Sequence, residues 1–305
     1  MHQIVGDIKV ESKENRNLLV TVLLNIFISF AELAGGIFSN SLALVSDAIH
    51  NFSDGLAIAV TYISIKISNK QSNQANTFGY KRIQILAALF NAVTLIAICI
   101  FLLFEAYQRF LNPEPIQSIP MFIVATIGLI ANIIGVFLLK DFSSGNLNIK
   151  AAYLHLIGDS LSSVAVIVGG LLIYFYNLQW IDPLITVLIS IYIIKETYHV
   201  LAETYSILMQ ASPKSVDINI IRDEIKMIAG VNDIHHVHIW SLTDQMIHFE
   251  GHIELSKDIK ISETQEIYCQ IKKLLEHRHG IHHITLQAEH NFCQEKHLVS
   301  PTNLC

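Results

Sequence analysis

Charge is scarce in this chain. Asp, Glu, Lys and Arg make up 15% of its 305 residues, against about a quarter in soluble domains, which excludes an ordinary water-soluble globule. Cysteine is scarce too: Cys99, Cys269, Cys293 and Cys305 stand far apart with no CxxC spacing. That excludes a disulfide-stapled secreted scaffold and fits a reducing compartment around the C-terminal region. The 20 Lys and Arg form no stripe and face 26 Asp and Glu. Nucleic acid is thereby excluded as a partner, because phosphate contacts need clustered cations. No small-residue cleavage site follows the mixed charges Asp7, Lys9, Glu11, Lys13, Glu14 and Arg16, so the N-terminus is expected to be retained rather than removed as a secretory signal.

What the chain has in quantity is apolar sequence, 52% of its residues. About 20 apolar residues cross a bilayer as a helix, and six such runs are present: Leu18 to Phe38, Leu42 to Ile67, Ile83 to Phe110, Ile119 to Leu139, Ala151 to Tyr176 and Ile181 to Leu201. An even number puts both termini on one side. If that side is the cytosol, the inner segments hold Lys9, Lys13, Arg16, Lys66, Lys70, Lys81, Arg82, Lys140 and Lys150, and the outer loops hold Arg109. The positive-inside rule selects that orientation.

After Pro213 the periodicity changes. Ile220, Ile221, Ile225 and Ile228 recur at helical spacing up to Gly230. Two strand patterns follow, His235 to Leu242 and Met246 to Leu255, the second with Ile247, Phe249, Ile253 and Leu255 on one face and His248, Glu250, His252 and Glu254 on the other. A second helix carries Ile267, Ile271, Leu274 and Leu275, and a last strand runs around His283 to Glu289. The expected fold class is a membrane all-α six-helix bundle with a C-terminal cytosolic α+β ferredoxin-like (αββαβ) domain. The expected domains are a cytosolic N-terminal tail over 1–17, a six-span transmembrane domain over 18–209, a cytosolic ferredoxin-like metal-binding domain over 210–290 and a C-terminal tail over 291–305.

Within the apolar runs a single pattern occurs twice. His50-Asn51-Phe52-Ser53-Asp54 and His155-Leu156-Ile157-Gly158-Asp159 each place His and Asp four apart, on one face of a helix and one turn from each other. An Asp at mid-membrane costs roughly 2.5 to 3.5 kcal/mol, so such groups line a pathway or bind something. Two His and two Asp facing one another complete a tetrahedron suited to zinc, and the imidazoles bias the site away from Mg and Ca. Cobalt and cadmium are the runners-up. When a bound zinc ion leaves, two carboxylates lose their compensation and protons must replace it; His50 and His155, with an unperturbed pKa of about 6.5, are natural acceptors. The pair is therefore read as a metal/proton exchanger that drives efflux from the cytosol. Asp47 either guides metal in or braces its helix. An enzyme is disfavoured, because HExxH is absent and four protein ligands leave no open position for water.

The stretches Leu42-Ala43-Leu44-Val45-Ser46-Asp47-Ala48-Ile49-His50-Asn51-Phe52-Ser53-Asp54 and Ala151-Ala152-Tyr153-Leu154-His155-Leu156-Ile157-Gly158-Asp159 resemble the signatures of the cation diffusion facilitator family, as do Asp182-Pro183, Ile207-Leu208-Met209 and the tail segment His235 to Trp240. The resemblance covers nearly the whole chain. It implies a homodimeric zinc/proton antiporter with a cytosolic metal-binding tail. It assigns the transport site to His50, Asp54, His155 and Asp159, and a regulatory zinc site to His235, His252 and Glu289, which His238, His248, His290 and Cys293 could extend to a second ion. It also implies no metal in the loop Asn76-Thr77-Phe78-Gly79-Tyr80, which lacks the histidines some relatives carry. The loop Asp141 to Asn148 has no histidine-rich insertion, which points to a bacterial cytoplasmic (inner) membrane.

Overall fold

Polar caps divide the apolar sequence into six long helices: α1 (His2–Ser39), α2 (Leu42–Ser68), α3 (Ile83–Leu111), α4 (Ser118–Lys140), α5 (Leu147–Tyr176) and α6 (Ile181–Leu208). The computed structural model describes residues 2–68, 70–140, 147–292 and 297–299. The loop expectation for Asp141 to Asn148 falls mostly outside them, as does Cys293. Among the described residues, Ile83–Leu111, Ser118–Lys140, Tyr153–Tyr176 and Ile181–Leu208 are long and apolar enough to cross a membrane, and Leu23–Ser39 is a shorter apolar stretch. The chain divides into two compact units, Met1–Ile63 with Ala88–Leu201, and Ser64–Ala87 with Ala202–Cys305.

In the first unit the turn between α1 and α2 is only two residues long, and its chemistry explains how so short a link holds. Asn40 takes the left-handed conformation at φ 58°, which Asn tolerates better than most residues. Arg109 of α3 clamps it, donating to the Asn40 carbonyl at 2.6 Å and to its Oδ1 at 2.8 Å. The start of α2 is capped from α6: Asp182 accepts from Ser41 Oγ at 2.5 Å, Leu42 N at 2.8 Å and Ala43 N at 3.2 Å. A buried carboxylate thus answers the unsatisfied N–H groups and the positive end of a helix dipole. Gly36 lets the two helices close, since a Cβ there would come within 2.7 Å of the Val45 side chain.

The interior of this unit is filled by Leu44, Leu95, Cys99, Met121, Val166 and Ile193. Outward-facing Phe90, Phe101, Phe137 and Phe175 are exposed. That apolar exterior would be an aggregation liability in water and is the expected surface in lipid, where only backbone-satisfied helices or closed barrels persist.

In the second unit α7 (Ile218–Lys226), β1 (Val231–Ser241), β2 (Ile247–Leu255), α8 (Ile261–His279) and β3 (His283–Glu289) follow in order. Asp217 caps α7 by accepting from Asn219 N at 2.8 Å, and Gly280 ends α8 at φ 66°. β1 pairs antiparallel with β2, β2 pairs parallel with β3, and the sheet order is β1-β2-β3. Ile221 and Ile225 of α7 and Ile271 and Leu275 of α8 pack with Ile234, Phe249 and Ile253 of the strands.

β1 begins at Val231, earlier than the His235 expected from pattern, because Arg222 grips Asp233 through two hydrogen bonds of 3.0 and 2.9 Å and holds the first residues against α7. The polar face of β2 also departs from simple alternation. His248 is buried between Trp240, His283 and Phe78, with ring centroids at 5.2, 4.3 and 5.3 Å, and Glu254 is buried while accepting from Asn291 N at 3.0 Å.

Two outcomes follow from this packing. Replacing Asp182 by Ala leaves the Leu42 and Ala43 N–H groups without partners and should cost about 1–3 kcal/mol, read as a lower melting temperature in detergent. Burial, with His283 and Arg82 adding like charge, holds the His248 pKa below the ordinary 6.5. The unfolded chain then binds a proton first, so the stability His248 contributes is complete above about pH 6.5 and is lost as pH falls through the folded value. His248→Phe should flatten the pH dependence of melting between about pH 7.5 and 5.5.

Candidate metal centre

The two His/Asp pairs lie on α2 and α5, and a buried polar contact brings these helices together. Ser162 and Ser163 of α5 both donate to Asp47 of α2, the second at 3.4 Å. Asp47 therefore acts as a brace in this structure. One turn further along α2, His50 and Asp54 face His155 and Asp159 of α5. His155 Nε2 stands 3.0 Å from Asp54 Oδ2 and 3.6 Å from Asp159 Oδ2; His50 Nε2 stands 3.7 Å from Asp159 Oδ1 and its Nδ1 3.6 Å from Asp54 Oδ2. The two imidazole rings meet edge to face at 5.6 Å.

These spacings can be compared with what an ion needs. Four ligands at about 2.0–2.2 Å from a central zinc stand about 3.3–3.6 Å from one another, by tetrahedral geometry. The observed separations of 3.0 to 3.7 Å bracket that range. His50, His155 and Asp159 offer donor atoms all within 4.8 Å of one another, and Asp54 closes the ring through its contacts to both histidines. Because His50 turns one nitrogen to each acid, one ion takes only one of the two. The side chains of His50 and Asp159 are 10% and 2% exposed, those of His155 and Asp54 39% and 29%, so the cluster opens on one side.

Three groups around it were not anticipated from the sequence. Tyr192 of α6 sets its ring edge-on to His50 at 6.4 Å. Glu196, one turn on, acts electrostatically on both histidines. Glu32 of α1 is fully buried and accepts from Asn51 Nδ2 at 3.1 Å, beside His50. Glu32 carried a legible signal as the one charged residue in the first apolar run; Tyr192 and Glu196 carried none.

The second unit contains another cluster. His235 and His252 are direct cross-strand partners on β1 and β2, and Glu289 reaches both from the end of β3. Its Oε2 lies 3.2 Å from His235 Nε2 and its Oε1 2.7 Å from His252 Nδ1. The second contact lies outside hydrogen-bond geometry, and among the described residues the buried His252 Nδ1 has no hydrogen-bond partner, which a bound ion would supply. Two imidazoles and a carboxylate are a donor set that zinc accepts. Gln287 Nε2 steadies the Glu289 carboxylate at 2.7 Å, the supporting contact that tunes such ligands. His236, in the left-handed region at φ 50°, stacks on His252 at 5.0 Å. Desolvation, then His252 and His235, hold its pKa below 6.5.

Of the residues considered for a second ion here, His238 sits opposite Glu250 in a cavity of about 330 Å³ on the open sheet face. His248 is taken up by its aromatic stack, and His290 Nδ1 pairs with the Leu255 carbonyl at 2.9 Å. They do not converge. Glu289→Gln should lower zinc affinity at the His235/His252/Glu289 cluster by about tenfold or more, read by titration calorimetry, while His290→Ala leaves it unchanged.

Two families of domain match the chain. The cation efflux transmembrane domain matches residues 18–209, and the cytoplasmic domain of cation efflux proteins matches residues 213–291. The chain is 36% identical over 296 residues to the cadmium, cobalt and zinc/H(+)-K(+) antiporter of Bacillus subtilis (strain 168), covering 94% of this chain and 95% of that protein. It is 36% identical over 280 residues to the cation efflux system protein CzcD of Alcaligenes sp. (strain CT14), covering 92% and 88%. It is 34% identical over 292 residues to the zinc transporter ZitB of Pectobacterium atrosepticum, covering 94% and 89%.

Proposed function

The chain belongs to the cation diffusion facilitator family, integral membrane proteins that act as cation efflux transporters rather than enzymes, and we propose that it exports Zn2+ from the cytosol in exchange for protons. The observation that carries this reading is the ring of four side chains on α2 and α5, two His and two Asp, whose neighbouring donor atoms stand 3.0 to 3.7 Å apart. His50, Asp54, His155 and Asp159 are the proposed transport ligands. Cadmium and cobalt are proposed as secondary cargo, in keeping with the names of relatives.

The exchange follows from the ligand chemistry. Metal binding requires neutral imidazoles and ionised carboxylates and so expels protons; when the ion leaves, protons restore charge balance within the membrane. Alternating exposure of the site to the two sides then couples the flows, and a more acidic exterior favours protonation and release outward. All six long helices are proposed as spans, with both termini in the cytosol and the protein in a bacterial inner membrane. The region over 210–290 is proposed as a ferredoxin-like domain that joins two copies into a homodimer. There, zinc held by His235, His252 and Glu289 serves as a regulatory ligand.

The test is flux. In vesicles with a zinc dye inside and an imposed pH gradient, the wild type should accumulate zinc and Asp159→Ala should lose uptake by about a hundredfold or more, with folding checked by elution. Equal uptake by the two proteins, or uptake indifferent to the gradient, would sink the proposal. His50→Asp, which removes one of the two imidazoles that suit zinc, should narrow the preference for zinc over cadmium in the same assay.

A further inference from the structure

Glu32 has no evident structural reason to be an acid. It is fully buried on α1, and among the described residues its one hydrogen bond comes from the neutral Asn51 amide at 3.1 Å and its Oε1 has no partner. Among the described residues no Lys, Arg or His forms an ion pair with it. The charged groups that act on it from the helices packed around it are themselves acids, Asp47 on α2 and Asp159 on α5. On α4 the carboxyl rests against Gly128, where a Cβ would strike it. One turn along that face, Asn132 is buried with an unpartnered Nδ2. Within α1 the nearby Ser29 hydroxyl already donates to the Asn25 carbonyl at 2.7 Å. A glutamine would fill the same notch and accept the same Asn51 hydrogen bond, so packing alone does not call for a carboxyl.

Charge balance supplies a reason. Asn51 adjoins His50, and Asp159, one of the four proposed ligands, is among the like charges that act on Glu32, after Asp47. An ion bound by Asp159 cancels that repulsion, and its departure restores it, in an interior where such fields are poorly screened. We propose that Glu32 is a proton-binding site of the exchange cycle, separate from the metal ligands, which takes up a proton when the dication leaves and releases it when the dication returns. This rests on the proton-exchange reading above, and it assigns one of the exchanged protons to α1 rather than to the tetrad.

The full-length protein tests it. Zinc is titrated into wild type, Glu32→Gln and Glu32→Asp in weakly buffered detergent, recording affinity and protons released per zinc, and pH-driven zinc flux is measured in vesicles. Glu32→Gln should bind zinc within about threefold of wild type, release fewer protons per ion, and lose gradient-driven flux by about tenfold or more. Glu32→Asp, which keeps the acid but withdraws it from Asn51 and Gly128, should transport with a shifted midpoint in the pH profile of flux. Wild-type proton release and flux in Glu32→Gln would overturn the assignment and leave the antiport reading standing. A wild type that releases no protons on binding zinc would overturn both. Should Glu32→Gln fail to fold, an unmoved pH midpoint in Glu32→Asp overturns the assignment alone.

Discussion

A carboxylate enclosed among apolar helices must be answered by a donor, a cation or a proton, and this requirement sorts the acids of the helical unit. Asp182 is answered by three donors at the start of α2 and is thereby structural. Asp47 is answered by two serines of α5 and ties the helices together. Among the described residues Asp54 and Asp159 are answered only by His50 and His155, whose contacts of 3.0 to 3.7 Å are mostly too long for good hydrogen bonds and suit a shared ion. The same accounting leaves one oxygen of Glu32 unanswered.

Precise meeting of the two pairs depends on groups outside the proposed ligand set. The Asn40 turn, clamped by Arg109, sets where α2 begins, and the α6 carboxylate sets its cap. Asp47 then fixes α2 against α5 three residues before His50, within one turn of the proposed ligands. Small side chains permit the approach: Gly36 against Val45, and Gly128 against Glu32. In lipid, where apolar contact between helices gains little over contact with acyl chains, such close backbone approach and buried polar ties carry helix association. The ligand geometry is thus held by pieces far apart in sequence.

That distribution explains what the sequence disclosed and what it did not. The His/Asp repeat was legible because i and i+4 share a helix face whatever the tertiary context, and the apolar runs were legible because hydrocarbon thickness dictates their length. The tail helices were legible through Ile221, Ile225, Ile271 and Leu275 at helical spacing. Burial of His248 was not, since it depends on Trp240 beside it and on Phe78 from a distant loop. The early start of β1 depended on Arg222 meeting Asp233 across the domain. For Asp47, sequence left two roles open, and only the position of Ser162 and Ser163 on the facing helix favours the brace. Tyr192 and Glu196 come near the tetrad through the packing of α6, which no local pattern encodes.

The two histidine clusters use similar donors in unlike settings, and the contrast bears on what each can do. In the tail, the His235 and Glu289 side chains are 0% and 3% exposed, and a sheet fixes both histidines through paired backbone. A site built so rigidly, with its carboxylate steadied by Gln287, suits an ion that stays. The membrane cluster instead sets one enclosed pair, His50 and Asp159, against a more open pair, His155 and Asp54, each pair drawn from both helices. Separating α2 from α5 would therefore break every cross-helix contact at once, so that an ion held as proposed would lose coordination from both sides rather than one ligand at a time. On the proposed export of zinc, for which four-ligand binding is strong, such a shared seam is what release would need; and because each helix would carry away one His and one Asp, each half would be left with a charge that a proton from the water can meet.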